Sequence, residues 1–156
     1  MKIGPKGIWL IEHHEEFRSR PYLCPAGIPT IGYGSTYYPD GRKVTLKDKP
    51  ITEQEATVLM QSVLKSFELC VTKNCPNVNQ NQFDALVDFA YNVGVGKLNV
   101  PGCGFQGSTL LKKVKANPND PTIRAEFMKW NKGGGKVLAG LTTRRTNEAN
   151  LYFLPL

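Results

Sequence analysis

Residues 15–34 decide the fold, and they read Glu-Glu-Phe-Arg-Ser-Arg-Pro-Tyr-Leu-Cys-Pro-Ala-Gly-Ile-Pro-Thr-Ile-Gly-Tyr-Gly. Apolar residues recur at helical spacing just before this stretch, which predicts a helix over residues 4–18 that contains Glu15 near its end. Cys24 and Thr30 follow on a loop rich in proline and glycine that leads into a short strand over residues 30–34. A rigid loop can fold the thiol and the hydroxyl back over the helix end. The stretch therefore predicts a site that contains Glu15, Cys24 and Thr30.

The chain outside this stretch is mostly helical in its patterning. Thr52 and Glu55 form a capping box that opens a helix to about residue 69. Asn79 and Ser108 have the residue type and position of N-caps for two further helices. The remaining predictions are a strand over 42–45, a helix from the N-cap Asp120 to about 130, a flexible glycine loop over 133–135 and a final helix over 142–152.

A chain of 156 residues with 40% hydrophobic content is predicted to form one domain. Short strands in one segment and helices elsewhere indicate the α+β class. We expect a small β-containing lobe over about 18–50. The N-terminal helix and residues 52–156 would form a larger helical lobe, with a cleft between the two lobes.

Membrane insertion is not expected from this sequence. No apolar run approaches the 18 or so residues that span a bilayer, and the run over 7–11 is followed at once by Glu12. That run is also too short for the core of a signal peptide, and no small-residue cleavage site follows it. We therefore expect a protein without a signal peptide or spanning segment, which either stays in the cytoplasm or is exported by something other than its own sequence.

The net charge of +7 is unevenly distributed along the chain. Residues 1–103 carry 11 Lys/Arg against 10 Asp/Glu, whereas residues 104–156 carry 9 against 3. A basic half indicates an anionic partner, such as nucleic acid, a membrane surface or an acidic cell-wall polymer, or it serves solubility alone. No groove-reading motif or series of stacking aromatic residues is present, so we do not expect nucleic-acid binding.

The cysteine and histidine spacings do not predict a metal site. Cys24, Cys70, Cys75 and Cys103 form no Cys-x-x-Cys pair, and the two histidines are adjacent, so on a helix they point in different directions. Cys70 and Cys75 are either bridged across a turn or free thiols. We expect no metal and no cofactor.

Four sequence motifs resemble those of the phage-type lysozymes, the endolysins of glycoside hydrolase family 24. Glu15, Cys24 and Thr30 match the family pattern Glu-x8-Asp/Cys-x5-Thr. Residues 82–94, 108–111 and 140–148 follow in the family's order, so that the resemblance covers nearly the whole chain. Position 24 is Asp in the best-known members, position 16 is usually Gly, and many members have His where this chain has Ser35.

The resemblance implies a monomeric N-acetylmuramidase that hydrolyses the β-1,4 bond of peptidoglycan during host-cell lysis. Cleavage needs an acid for the leaving oxygen and a group that directs or supplies a nucleophile. Glu15 is matched to the acid, which must hold its proton near neutral pH. Cys24 is either a base that directs a water with Thr30, giving inversion, or a covalent nucleophile. We favour inversion because Thr30 is placed to hold a water.

Two substrate-binding residues and a partner are also expected. Asn92 carries an amide on the central helix and is expected to contact a sugar hydroxyl, unless it serves as a helix cap or packing residue. Arg145 is expected to bind either the peptide stem or an internal carboxylate, unless its role is purely structural. A holin-type protein would release the enzyme from the host cytoplasm to the wall. The alternatives are a lytic transglycosylase, which cleaves the same bond without adding water, and a non-catalytic cell-wall binding module.

Overall fold

A computed structural model describes all 156 residues and confirms the α+β class. Helices α1, α2 and α3 span Pro5–Glu15, Glu53–Asn74 and Gln80–Val93. Helices α4, α5 and α6 span Thr109–Ala116, Ile123–Met128 and Ala139–Tyr152. Strands β1 (Arg18–Leu23) and β2 (Pro29–Gly32) form one antiparallel pair, and strands β3 (Lys132–Gly133) and β4 (Lys136–Val137) form a second. None of the helices combines the length and apolar character that crossing a membrane requires.

The chain divides into two compact units, whose boundaries fall inside α1 and α2. The small unit is Ile11–Ser66, and the large unit is Met1–Leu10 together with Phe67–Leu156. The predicted lobe over 18–50 therefore lies within the small unit.

The small unit is organised by the β1–β2 hairpin. Tyr22 pairs with Thr30, and the register shifts between Arg18 and Tyr22, which marks a bulge in β1. Gly32 ends β2 at a φ of +66°, and a Cβ at this position would lie 3.1 Å from the Ala56 Cβ on α2. Glycine is required here because the strand turns in the left-handed region directly against the helix.

The large unit is built around α3, whose residues from Asn81 to Ala90 are buried. Phe89 makes edge-to-face contacts with the rings of Phe105, Phe127 and Trp130. On another side of α3, Asp84 accepts hydrogen bonds from the backbone N–H groups of Gly4 and Gly7, at 2.9 and 3.2 Å. This buried carboxylate satisfies donors at the start of α1 that the helix itself leaves open.

The predicted helix starts at residues 52, 79 and 108 are confirmed. Thr52 and Glu55 exchange side chain-to-backbone hydrogen bonds, and Asn79 and Gln82 do the same. Ser108 accepts from the Leu111 N–H. These caps were predictable because each is a hydrogen bond within a single turn of chain.

Several predicted boundaries were wrong. Helix α1 ends at residue 15 instead of 18, because residue 16 turns into the left-handed region, with a φ of 51°. Helix α2 runs five residues beyond the predicted end, and α6 begins at 139 instead of 142. Helix α5 spans only 123–128, because Asp120 makes a local turn with Thr122 before the helix begins.

Two predicted strand and loop assignments also need correction. Residues 42–45 do not form a regular strand, and Lys43 makes one isolated bridge to Tyr37. The glycine loop over 133–135 is a hairpin between β3 and β4. Gly134 and Gly135 have φ values of +58° and +79°, as a two-residue hairpin turn requires.

Candidate active site

Glu15 lies at the point where α1 ends in the small unit. It is half-buried, whereas its neighbour Glu16 is exposed. Glu16 adopts the left-handed conformation that favours glycine, which is the residue the family usually carries there. Glu12, one turn earlier, accepts a 2.7 Å hydrogen bond from the Thr57 hydroxyl. Of these three carboxylates, Glu15 has the position at the helix end that the sequence predicted.

Cys24 and Thr30 are brought together by the hairpin. The Cys24 N–H donates to the Ile28 carbonyl at 3.0 Å, so Cys24 continues the ladder beyond the Tyr22–Thr30 pair. Side chains alternate between the two faces of a strand, which puts Tyr22, Cys24 and Thr30 on the same face. Cys24 is partly exposed and free, and Thr30 is buried, with 3% of its surface exposed.

The backbone of the turn lowers the pKa of the Cys24 thiol below its usual value. The main cause is the hydrogen bond from the Ile28 N–H to the thiolate, and the Ala26 N–H and the Thr30 hydroxyl add to it. Desolvation opposes this shift. The hydrogen-bond donors of the turn therefore favour the thiolate form of Cys24.

The Thr30 hydroxyl has one hydrogen and two possible acceptors for it. It donates to the Ile28 carbonyl at 2.9 Å, and it also lies within hydrogen-bonding reach of Cys24. When its hydrogen is directed at either acceptor, the hydroxyl oxygen keeps lone pairs that can accept from a water. The Thr30 hydroxyl oxygen can therefore still accept a hydrogen bond beside Cys24.

Tyr22 is a further polar residue beside Cys24 and Thr30, and the sequence did not single it out. Burial raises the pKa of its phenol, the positive charge of Arg18 lowers it, and the charges of Glu15 and Cys24 raise it. The Arg18 guanidinium lies 4.8 Å from the centre of the Tyr22 ring. Glu15 and Cys24 therefore both lie close enough to the Tyr22 phenol for their charges to raise its pKa, and Tyr22 is the strand partner of Thr30. The four side chains form one polar neighbourhood in the small unit, which we call the hairpin site.

Ser35 lies at a position where many family members carry histidine. It is 1% exposed, and its hydroxyl makes no hydrogen bond. Its backbone pairs with Ile31 in both directions. The residue therefore supports the end of β2 through its backbone.

Asn92 and Arg145 lie in the large unit and contact each other. Arg145 is fully buried, and it donates to the Asn92 Oδ1 at 2.8 Å and to the Glu148 Oε1 at 2.7 Å. From the sequence, Arg145 was expected to bind either the peptide stem or an internal carboxylate. In the structure it binds an internal carboxylate, which is that of Glu148. Asn92 is exposed and lines a groove of about 420 Å³ together with Lys129, Trp130, Lys132 and Leu141.

Arg145 belongs to a buried charge cluster that consists of Asp88, Arg144, Arg145 and Glu148. Arg144 donates to both carboxylate oxygens of Asp88, at 3.2 and 2.7 Å. Burial alone would raise the pKa of Asp88, but the charge of Arg144 and the hydrogen bonds lower it. Burial and the charge of Asp88 raise the pKa of Glu148 well above its usual range. The pKa values of the two carboxyl groups are thus shifted in opposite directions beside the same two arginines.

The structure contains no group of three or more His, Cys, Asp or Glu side chains that could hold a metal ion. All four cysteines are free thiols, including Cys70 and Cys75.

Comparisons with known proteins identify the family to which the whole chain is similar. Residues 12–148 match the family described as "Phage lysozyme". The chain is 38% identical over 153 residues to the endolysin of Bacillus phage B103, which covers 97% of the chain and 54% of the relative. It is 32% identical over 154 residues to the endolysin of Salmonella phage P22, and this match covers 97% of the chain and 98% of the relative. The chain thus spans about half the length of some relatives, including that of Bacillus phage PZA at 55%, and nearly all of others.

Solved structures of endolysins and muramidases have the same fold as this chain. The endolysin of Escherichia coli O157:H7 phage FAHEc1 superposes with a TM-score of 0.83 at 32% identity, covering 98% of this chain and 94% of the other. The muramidase domain of SpmX from Asticaccaulis excentricus gives 0.80 at 29% identity, with 99% of each chain covered.

Proposed function

Because this chain belongs to the phage lysozyme family, we propose that it is an endolysin that hydrolyses the β-1,4 bond between N-acetylmuramic acid and N-acetylglucosamine in peptidoglycan. The observation that carries this proposal is the hairpin site. A half-buried carboxylate ends a helix in the same neighbourhood as a thiol with a lowered pKa and a buried hydroxyl. Glycoside hydrolysis needs an acid and a second group that handles the nucleophile, and these residues supply both.

In the proposed reaction, Glu15 donates its proton to the leaving glycosidic oxygen as the bond to the anomeric carbon breaks. Cys24, as thiolate, accepts a proton from a water that Thr30 orients, and the water oxygen attacks the anomeric carbon. The product gains one water and has inverted configuration. Transfer of the proton from Cys24 back to Glu15 through solvent restores the starting state.

The backbone hydrogen bonds at Cys24 support a base in preference to an inert thiol. An ordinary thiol is only a few per cent ionised at neutral pH, so it is a poor base. Donors at Ile28 and Ala26 stabilise the thiolate and raise the fraction of ionised Cys24. The same thiolate could instead attack the anomeric carbon directly, which would give retained configuration through a glycosyl-enzyme intermediate.

Asn92 is proposed to bind substrate, with Arg145 as its positioning residue. Because an arginine side chain has only hydrogen-bond donors, its contact holds the Asn92 side-chain oxygen toward Arg145. The N–H groups of the Asn92 amide are then left to donate to a ligand. The ligand atom is then an acceptor, such as a sugar hydroxyl or a carbonyl oxygen. Trp130 and two lysines line the same groove and suit a substrate with anionic peptide groups.

The proposed setting is the host cell of a phage. Four relatives, from Haemophilus phage HP1, bacteriophages PS119 and PS34 and Escherichia phage P1, are named SAR-endolysins. For this chain we propose accumulation in the host cytoplasm, action as a monomer and dependence on a holin-type protein for access to the wall.

Clearing of a purified peptidoglycan suspension tests the enzymatic assignment. The protein should lower the turbidity with time at catalytic concentration. A non-catalytic wall-binding module would sediment with the peptidoglycan and leave the turbidity unchanged, and that result would refute the proposal.

A further inference from the structure

A groove in the large unit lies between the first half of α1 and the last turns of α6. It has a volume of about 490 Å³, and Trp9, Leu10, Leu151 and Leu154 supply apolar surface to it. Trp9 is 59% exposed and Leu154 is 44% exposed, and Leu156 beyond them is 83% exposed. Single exposed apolar residues are common, but a groove with a tryptophan at its edge and leucines along it marks an interaction surface.

The charges at this groove are positive. Lys6 is one of the lining residues, and no acidic side chain is among them. Asn150 lines the opposite side and accepts a 2.9 Å hydrogen bond from Arg124. The Arg124 guanidinium also lies 5.4 Å from the centre of the Phe153 ring. An occupant of this surface must therefore offer both apolar groups and negative charge.

We infer that this Trp9 groove is a docking surface for an anionic phospholipid membrane, on which the protein lies peripherally. Tryptophan is favoured at the boundary between headgroups and acyl chains, because its ring is apolar and its N–H is polar. Lys6 and Arg124 would meet the headgroup phosphates. Leu151 and Leu154 would enter the acyl boundary, whereas Leu10 is buried and forms the floor of the groove. Such binding needs no spanning segment. It adds a site to the proposed wall hydrolase and involves none of the hairpin-site residues.

Tryptophan fluorescence with lipid vesicles tests this inference. The chain has two tryptophans, so a Trp130→Phe background makes Trp9 the sole reporter. Vesicles of equal parts phosphatidylglycerol and phosphatidylcholine should shift the Trp9 emission to shorter wavelength. Pure phosphatidylcholine vesicles should give a much smaller shift, because cations near an anionic surface contribute a large part of peripheral binding.

Variants of the full chain then separate the apolar and ionic contributions in a vesicle sedimentation assay. Trp9→Ala should weaken partitioning about tenfold or more, as expected from the apolar area that an indole ring buries. Lys6→Gln should weaken binding about fivefold on the anionic vesicles and leave binding to neutral vesicles unchanged. Both variants should keep wild-type circular dichroism, because both side chains are exposed.

Matched controls lie outside the groove. Leu69→Ala removes an apolar side chain that is 70% exposed on α2, and Lys112→Gln removes an exposed cation on α4. Both controls should partition like the wild type. Digestion of purified peptidoglycan should be unchanged in Trp9→Ala, so failure of this inference is distinguishable from failure of the proposed function.

Three results would overturn the inference. The first is equal partitioning of Trp9→Ala and Leu69→Ala, which would mean that the groove does not meet the bilayer. The second is equal binding to neutral and anionic vesicles. The third is a concentration-dependent dimer in sedimentation that Trp9→Ala abolishes, because the groove would then be covered by a second copy of the chain.

Discussion

The hairpin site and the buried charge cluster both contain ionisable groups with shifted pKa values, but they differ in access to solvent. Cys24 is partly exposed, and backbone N–H groups lower its pKa. Asp88 and Glu148 are fully buried, and their pKa values move in opposite directions: the charge of Arg144 lowers the pKa of Asp88 against the effect of burial, whereas burial and the charge of Asp88 raise the pKa of Glu148. A strongly shifted pKa therefore does not by itself identify a catalytic group in this protein.

The difference follows from what each region must do. A catalytic group needs a path to substrate, so its charge is stabilised by donors that leave one side open. A buried cluster has no open path to solvent, and its charges are balanced mainly by one another. The two regions should accordingly fail in different ways when they are mutated, and the following experiments use that contrast.

Replacement of the proposed general acid should have the largest effect on activity. Glu15→Gln should lower peptidoglycan digestion by at least about a hundredfold, which is the scale expected for loss of acid catalysis. The midpoint of urea unfolding should stay near the wild-type value. Glu16→Gln, at the adjacent exposed carboxylate, is the matched control and should digest peptidoglycan at close to the wild-type rate. A folded Glu15→Gln enzyme with wild-type activity would remove Glu15 from the site.

Replacement of one charge in the buried cluster should reduce stability instead. Arg144→Met leaves Asp88 buried without its bidentate partner, and this should lower the free energy of unfolding by about 3–5 kcal/mol. Arg124→Met removes an exposed arginine and should cost less than about 1 kcal/mol. Chemical denaturation measures both values. A small loss in Arg144→Met would mean that the cluster is not held by this ion pair.

Substitutions at Cys24 test whether the turn needs a negative charge there. Cys24→Asp should keep substantial activity, because a carboxylate is ionised at neutral pH and can accept the same backbone hydrogen bonds. Cys24→Ala should lose most activity. Full activity in Cys24→Ala would leave Glu15 and Thr30 to carry the reaction. Retained configuration in the wild-type product would identify Cys24 as a nucleophile instead of a base.

A smaller effect is expected when one donor to the thiolate is removed. Thr30→Val takes away the hydroxyl that stabilises the Cys24 thiolate, so the pKa of Cys24 should rise. Because a thiol reacts as its thiolate, the pH profile of Cys24 alkylation should move to higher pH. Thr30→Ser restores the hydroxyl and should return the profile toward that of the wild type. An unchanged profile in Thr30→Val would show that the backbone donors alone set the pKa.

The sequence predicted the parts of this molecule that depend on local hydrogen bonds and spacing. The caps at Thr52, Asn79 and Ser108 were predictable, because each cap and its partner lie within four residues. Strand β1 was not predicted, because Pro21 and the polar residues before it lack a strand pattern and pair only through the bulged hairpin. Hairpin β3–β4 was missed because a glycine run fits both a flexible loop and a tight turn.

The candidate site was predictable to a similar degree. The family spacing identified Glu15, Cys24 and Thr30 as candidates, and the hairpin brings the last two together. The backbone donors to Cys24 were not predictable, because they depend on the conformation of the turn. The burial of Arg145 against Glu148 was left open, because two helical arginines in sequence do not reveal which surface each one faces.

Mass analysis of muropeptides released from purified peptidoglycan tests the central claim most directly. Hydrolysis at the muramic acid bond should give disaccharide-peptides that carry one added water and end in reducing N-acetylmuramic acid. Glu15→Gln at the same protein concentration should release almost none of them. Products that lack the added water and end in an anhydro sugar would identify a transglycosylase and contradict the hydrolytic role assigned to Cys24 and Thr30.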